Sequence, residues 1–293
     1  MTAGRLRVHK LFLLAACLFI LVFYFLNPFS SGYEIASSLF FITFLGLPHG
    51  ALDFEIAKEY RLIHNFAKKA VFVSAYLAIS AACVYFWFLY PAIALVLFLT
   101  VSVIHFSEDW HHTGSKIEAL SISTMLLCLP AIVHKEEVQE YFSLLMIKPA
   151  ETTVIIFGMA FCFFLALLLF FITSINKEFK NKTAFVEVSA LTLMACLLPA
   201  LLYFIVYFCF LHSLNHMETL SQNLKKSQKE LWIKCIPMVL TTTAITAIVA
   251  YHWQEPELKQ AAIQWIFIGL FALTIPHMVL IDILLKRVNF PEP

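Results

Sequence analysis

Five of the eleven histidines lie inside or at the end of long apolar segments, where a polar side chain is unusual. They are His49, His105, His212, His216 and His277. Polar residues within membrane spans are rare and mostly functional, and neutral imidazole is a common ligand of iron, copper, nickel and zinc. The residue types therefore predict a metal centre. Imidazoles without a thiolate suit Fe(II) with coordination positions left for oxygen, although the ligand type alone leaves zinc open.

The spacing of these histidines places them at one depth. At about 1.5 Å per residue, each lies roughly 18–24 Å along its predicted helix from the outer end. They therefore form one layer in the cytoplasmic half of the membrane. His212 and His216 are four residues apart, so one helix face carries both. Five unrelated histidines, each bonded to a neighbouring helix, are the alternative, but the shared depth favours a common site.

Two aspartates follow two of these histidines at a helical spacing. Asp53 follows His49 by four residues, and Asp109 follows His105 by four. A carboxylate there can accept the second N–H of the imidazole and fix its tautomer, as it does around many metal sites. We expect each aspartate to orient the histidine that precedes it. A charge at the inner membrane boundary is the alternative interpretation.

Two of the histidines directly follow a proline within an apolar segment. Pro48 precedes His49, and Pro276 precedes His277. A proline inside a helix frees the carbonyl four residues back and kinks the axis. Such a kink can aim the histidine into the protein, whereas a simple helix end is the other interpretation.

The elements that must position these residues are apolar helices. Of the 293 residues, 61% are apolar and only 13% are charged. This composition excludes a soluble globular enzyme, a disordered chain and a disulfide scaffold, and a net charge of +1 provides no basic field for nucleic acid. We predict an all-α, polytopic integral membrane bundle that forms a single domain over residues 1–293. The ten candidate spans are Leu11–Leu26, Tyr33–Leu47, Ala70–Leu89, Pro91–Phe106, Ala119–Val133, Thr152–Ile175, Ala184–Leu198, Ala200–His216, Ile236–Tyr251 and Ile263–Leu285.

The positive charges predict the orientation of these spans. With ten spans and the N-terminus inside, all but three of the 20 lysines and arginines fall in inner segments. The exceptions are Lys135, Lys148 and Lys259. Positive residues accumulate in cytoplasmic segments, so both termini are predicted to be cytoplasmic. Several spans are short, so the predicted number of spans ranges from eight to ten. The predicted location is the inner (plasma) membrane.

Four short motifs resemble those of one family, the Brp/Blh membrane proteins, which are bacterial β-carotene 15,15′-dioxygenases. Residues 46–53 read GLPHGALD and resemble the GxPHGALD signature of that family. Residues 105–109 read HFSED, residues 212–216 read HSLNH, and residues 276–278 read PHM, and each is similar to a later family motif. The four motifs occur in the family's order and are spread over residues 46–278, which is most of the chain.

The resemblance implies a chemistry and a set of roles. It implies a non-haem Fe(II) and cleavage of the central double bond of β-carotene by O₂ to give two retinal molecules. The implied metal ligands and catalytic residues are His49, His105, His212 and His216. We assign Asp53 and Asp109, from their spacing, and His277, which matches a family motif, to positions around these ligands. The implied partners are a lipid-soluble carotenoid, O₂, membrane lipid and a retinal-receiving opsin.

Two other classes of function remain open from the residues alone. A membrane transporter or metal permease could use the histidine layer as an ion site, although it needs an aqueous path and the neighbouring residues are mostly Phe, Leu and Ile. A noncatalytic carotenoid- or retinal-binding protein is the second alternative. A transport assay distinguishes the first from an enzyme, and an iron assay distinguishes the second. A di-iron desaturase is disfavoured, because the chain has one HxxxH motif and no HxxHH motif.

Overall fold

A computed structural model describes residues 3–26, 31–113, 115–174, 182–252 and 257–281. Within these ranges the chain forms helices and turns, and no described residue belongs to a strand. The α-helices are α1 (Ala3–Leu26), α2 (Ser31–Phe41), α3 (Leu47–Ala51), α4 (Asp53–Glu59), α5 (Phe66–Leu89), α6 (Pro91–Phe106), α7 (Lys116–Val133), α8 (Lys135–Leu144), α9 (Pro149–Ser174), α10 (Lys182–Leu197), α11 (Ala200–Ile205), α12 (Leu214–Leu224), α13 (Gln228–His252) and α14 (Glu257–Met278). Ile42–Gly46 and Val206–Ser213 are π-helical, and Ser107–Thr113 is a 3₁₀-helix.

Seven of the described helices are long and apolar enough to cross a membrane. They are Gly4–Phe25, Phe66–Leu89, Pro91–Thr113, Lys116–Val133, Pro149–Thr173, Ala200–Leu224 and Leu258–Ile281. Glu34–Gly46 and Ala184–Leu197 are shorter apolar helices, and the ninth predicted span lies within α13. The prediction of an all-helical membrane protein is confirmed, whereas the number of spans and the orientation of the termini stay predictions. The predicted end of the last span, Leu285, lies outside the described residues.

One compact unit comprises Met1–Ser38 and Pro91–His212, and is called the first unit below. Helix α7 packs against α6, α9, α10 and the 3₁₀-helix. The buried hydroxyl of Ser123 on α7 donates to the carbonyl of Val103 on α6 at 2.9 Å. The hydroxyl of Tyr203 on α11 donates to the carbonyl of Leu126 on α7 at 2.8 Å. Small and hydroxyl-bearing residues let membrane helices approach closely and bond across the interface. These contacts hold α6 and the 3₁₀-helix, and with them His105 and Asp109.

The second unit comprises Leu39–Tyr90 and Ser213–Pro293. Helix α14 packs along α5, and the rings of Trp87 and Phe271 meet edge to face at 5.5 Å. A hydrophobic core joins α4, α12 and α13 through Ile56, Leu220 and Leu231, all of which are buried. This packing fixes the segments that carry Asp53, His216 and His277.

The π-helical segments interrupt two of the helices that carry histidines. The first ends just before Pro48, and the N–H of Leu47 bonds the carbonyl of Ile42, five residues back. Since proline has no N–H, the regular α-helical ladder cannot continue unchanged through Pro48. The interruption predicted at this proline is therefore a π-helical turn. Helix α14, by contrast, continues through Pro276 to Met278.

Candidate metal centre

Two buried histidines face each other in the first unit. His105 is the penultimate residue of α6, and His212 lies in the π-helical segment Val206–Ser213. Their Nε2 atoms are 3.1 Å apart, and their rings meet at a steep angle with centroids 4.7 Å apart. The structure thus brings together two histidines that lie more than one hundred residues apart in the chain.

Asp109 holds the ring of His212. Its Oδ2 atom is 2.9 Å from Nδ1 of His212, and the hydroxyl of Tyr207 donates to the same oxygen at 3.4 Å. The Asp109 side chain is only 7% exposed, so the contact is shielded from water. A carboxylate accepts hydrogen bonds, so Nδ1 of His212 is the donor in this contact. In the tautomer with a proton on Nδ1 alone, Nε2 carries a lone pair, and this nitrogen faces His105.

The geometry of this pair fits a shared metal ion. Two nitrogens that each lie about 2.1 Å from a metal, at a right angle, are about 3.0 Å apart. The observed separation of 3.1 Å between the Nε2 atoms of His105 and His212 is close to that value. A single proton shared between the two rings would produce the same distance. The distance therefore fits either a metal ion or a shared proton, and two facing imidazoles are donors of a kind that iron accepts.

The expected partner of Asp109 was wrong. The spacing of four residues predicted a bond to His105, but the carboxylate bonds His212 instead. The reason is the change from α-helix to 3₁₀-helix after Phe106. A 3₁₀-helix turns by about 120° per residue rather than about 100°, so Asp109 lies roughly 100° instead of roughly 40° from the direction of His105.

Aromatic rings enclose His212. The ring of Phe106 meets it edge to face at 4.7 Å between centroids, and that of Phe208 stacks on it at 5.9 Å. Aromatic packing on an imidazole excludes water and lowers the local dielectric, which strengthens its bond to the carboxylate. Among the described contacts, Phe106 and Phe208 thus give this histidine two apolar neighbours beside Asp109 and His105.

The second unit contains a matching pair on different elements. Oδ1 of Asp53 is 2.7 Å from Nδ1 of His277, and both side chains are almost fully buried. The hydroxyl of Tyr76 donates to the other oxygen, Oδ2, at 2.9 Å. Asp53 was predicted to orient His49, whereas its described bonds go to His277 and Tyr76. The helix is interrupted at Leu52, between α3 and α4, so the spacing of four residues does not belong to one regular helix.

His216 lies beside this pair in the second unit. Its ring meets that of His277 edge to face at 5.3 Å between centroids. The backbone of His49 lies in α3, but its side chain is outside the described part of the structure. Next to His49 in the chain, the backbone carbonyl of Pro48 accepts a hydrogen bond from the thiol of Cys235 at 3.4 Å. The backbone carbonyl of Leu45 accepts a hydrogen bond from the hydroxyl of Ser213. These bonds fix the backbone before and after Gly46.

Within the described residues, no group of three or more His, Cys, Asp or Glu side chains has the spacing of a metal site. The structure brings six of the predicted residues together in two sets of three, with His105, Asp109 and His212 in the first unit and Asp53, His216 and His277 in the second. The set of four histidine ligands stays a prediction. His212 and His216 are four residues apart within one candidate membrane span, Ala200–Leu224.

Two histidines outside the predicted site also have polar partners. His9 lies within α1 and bonds Glu187 at 3.0 Å, and His134 donates from Nε2 to the carbonyl of Ala195 at 2.8 Å. The sequence reasoning also missed the two tyrosines that bond the aspartates, Tyr76 and Tyr207. Buried tyrosine hydroxyls need a polar partner, which is the signal that could have identified them.

The fold and these pairs define a helical membrane protein with buried carboxylate–imidazole pairs, an arrangement typical of metal-site surroundings. The family model for beta-carotene 15,15′-dioxygenase matches residues 40–285. The chain is also 32% identical, over 263 residues, to the beta-carotene 15,15′-dioxygenase of uncultured marine bacterium 66A03, covering 85% of this chain and 93% of that protein. No solved structure matches. The chain therefore belongs to the β-carotene 15,15′-dioxygenase family, and the resemblance of its motifs is confirmed.

Proposed function

We propose that this protein cleaves the central double bond of β-carotene with O₂ and releases two retinal molecules. The family match over residues 40–285, which contains every predicted site residue, carries this proposal. One C=C bond breaks and two C=O bonds form, so both atoms of O₂ enter the products. The electrons come from the alkene, and no external reductant is needed.

The proposed cofactor is Fe(II), held by His49, His105, His212 and His216. Bound iron would supply O₂ binding and activation for attack on the polyene. The pair of facing Nε2 atoms in the first unit supports the assignment of two of these ligands. The bond from Nδ1 of His212 to Asp109 supports it further, because ligating histidines almost always donate their second N–H to such a partner.

The protein's own residues have three tasks in this proposal. Asp109 keeps the proton of His212 on Nδ1, so that Nε2 stays available as a ligand. Phe106 and Phe208 exclude water from the ring of His212. In the second unit, Asp53 and Tyr76 fix His277, whose ring packs against His216 and limits the rotation of that ligand.

The remaining parts of the proposal concern substrate and location. A carotenoid is a lipid-soluble hydrocarbon, so a site among membrane helices receives it directly from the bilayer. We propose the inner membrane as the location, O₂ and membrane lipid as further partners, and an opsin as an acceptor of the retinal.

Expression in bacteria that accumulate β-carotene tests the activity. We expect the orange colour to fade while retinal appears, as measured by extraction and chromatography. The matched variants are His212→Ala, which removes a proposed ligand, and His64→Ala, which removes an exposed histidine between α4 and α5. Unchanged β-carotene, with the protein inserted and iron supplied, would overturn the proposal. β-Carotene that co-purifies intact would indicate a noncatalytic binder.

A further inference from the structure

The first helix reaches the segment that carries Asp109. Nη2 of Arg5 on α1 donates to the backbone carbonyl of Asp109 at 2.9 Å, and the same nitrogen contacts Nδ1 of His112. In a 3₁₀-helix the carbonyl of residue i pairs with the N–H of residue i+3, so Asp109 and His112 bound one turn. Arg5 therefore contacts both ends of a single turn of the 3₁₀-helix Ser107–Thr113.

A second contact fixes α1 within the first unit. His9 bonds Glu187 of α10 at 3.0 Å, and the two side chains are only 13% and 3% exposed. Arg5 and His9 are four residues apart and thus share one face of α1. A shielded contact of this kind sets the rotation and the depth of the helix. It presents Arg5, which is partly buried, to the 3₁₀-helix.

The turn that Arg5 contacts determines where the carboxylate of Asp109 points. That carboxylate bonds Nδ1 of His212, whose Nε2 faces His105. The hydrogen bonds of a 3₁₀-helix have poorer geometry than those of an α-helix, so its conformation depends more on outside donors. A charged donor such as guanidinium forms a comparatively strong bond with a carbonyl.

We propose that Arg5 is a positioning residue for the metal centre, which acts by holding the Asp109–His112 turn and so directs Asp109 at His212. The effect on iron rests on the proposed function. Residues 3–26 lie before the range matched by the family model, which begins at residue 40. Helix α1 lies outside that range, and in this proposal it stabilises the ligand geometry in addition to being a candidate membrane span.

Arg7 provides a matched control. It lies on the same helix and carries the same charge, but it is exposed. Arg5→Ala and Arg7→Ala each remove one positive charge from the N-terminal segment, so they change the topology signal equally. The full-length protein is purified in lipid nanodiscs, and the affinity for Fe(II) is measured by competition with a chelator. Co(II) is then substituted, and its absorption bands report the ligand geometry.

We expect Arg5→Ala to weaken iron binding by about 10-fold, the lower end of the range for partners of metal ligands, and to shift the Co(II) bands. Arg7→Ala should keep the parent's affinity and spectrum. Arg5→Lys retains a charged donor on a shorter side chain and should recover part of the affinity. If Arg5→Ala is not recovered folded, Arg5→Gln takes its place in both measurements.

The outcomes separate this inference from the proposed function. A parent protein that binds no Fe(II) or Co(II) would overturn both. A parent that binds metal, with Arg5→Ala and Arg7→Ala alike in affinity and spectrum, would overturn only the role of Arg5. A lower melting temperature of Arg5→Ala with unchanged affinity and spectrum would show a brace without influence on the site, and would likewise overturn it.

Discussion

Each of the two compact units contains one buried aspartate that bonds Nδ1 of one buried histidine, but the surroundings of the two pairs differ. In the second unit, the two oxygens of Asp53 bond separate partners, His277 and Tyr76. In the first unit, one oxygen of Asp109 contacts both His212 and Tyr207. The backbone of Asp109 is held in addition by Arg5.

The difference extends to the imidazoles. The Nε2 atoms of His212 and His105 lie 3.1 Å apart, with ring centroids 4.7 Å apart. The rings of His277 and His216 also meet at a steep angle, but their centroids are 5.3 Å apart. In the proposed function, the same carboxylate–imidazole pair serves two purposes. One pair presents a ligand nitrogen, and the other supports a neighbouring ring. Variants that remove equivalent atoms from both units test this division.

The largest difference is expected between the histidines themselves. His212→Ala should abolish both iron binding and β-carotene cleavage, because a four-imidazole site has no spare donor. His49→Ala, His105→Ala and His216→Ala should behave in the same way. His277→Ala should retain some iron, since we place it beside the ligands. The measurements are iron per protein by elemental analysis and retinal yield.

His64→Ala is the control for this set and should match the parent in both measurements. If His277→Ala lost iron as completely as His212→Ala, the two pairs would serve the same purpose. The ligand set would then need five imidazoles or a different four. Retention of both iron and activity by His216→Ala would contradict the assignment more severely.

The aspartates should produce the next largest effect. Asn retains the shape of Asp but loses its charge, so it holds the imidazole N–H more weakly. Asp109→Asn should weaken iron binding by about 10–100-fold. Asp53→Asn should lie near the lower end of that range, because it acts on His277 rather than on a proposed ligand. Both affinities are measured by chelator competition, and a larger loss for Asp53→Asn would reverse the comparison.

The sequence was sufficient to predict a helical membrane protein, from composition, and the approach of His105 to His212, from their common depth. It was not sufficient to predict which side chains pair. The partners of the aspartates could not be predicted from a spacing of four residues. That spacing assumes a regular α-helix, and the helix is interrupted at Leu52 and tightens after Phe106.

Arg5 illustrates a second limit of prediction from sequence. In the sequence it is one of several N-terminal positive charges, and it was counted only as a topology signal. Its contact with Asp109 joins residues 104 positions apart. No local pattern predicts such a contact, because it depends on how α1 packs within the first unit. The π-helical segment around His212 was also not predicted, because it contains no proline that would mark an interruption of the helix.

The tyrosines should produce a smaller difference than the aspartates. Tyr76→Phe removes a 2.9 Å bond to a carboxylate, and hydrogen bonds to charged groups contribute about 1.5–3 kcal/mol. Tyr207→Phe removes a 3.4 Å contact and should cost under about 1 kcal/mol, because the bond weakens with distance. Unfolding in detergent measures both. Equal losses would indicate that the two aspartates depend on their hydroxyl donors alike.

The smallest effect is expected from an ion pair at the surface of the second unit, which provides a baseline for the buried pairs. Nζ of Lys226 donates to Oε2 of Glu59 at 2.7 Å, and this hydrogen bond holds the pKa of the Glu59 carboxyl below its ordinary value of 4.5. A pKa that is lower in the folded state than in the unfolded state stabilises the fold at a pH above the ordinary value of 4.5. This contribution is lost as the pH falls through the folded-state pKa. The melting temperatures of the parent and of Glu59→Gln should therefore differ slightly at pH 7 and converge towards pH 3.

Iron affinity at pH 7 should be the same in both proteins, because the pair is exposed and surface ion pairs contribute little. A loss of iron in Glu59→Gln comparable to that in Asp53→Asn would mean that iron retention depends on the general stability of the second unit, and the contrast between its buried pair and its surface would no longer hold.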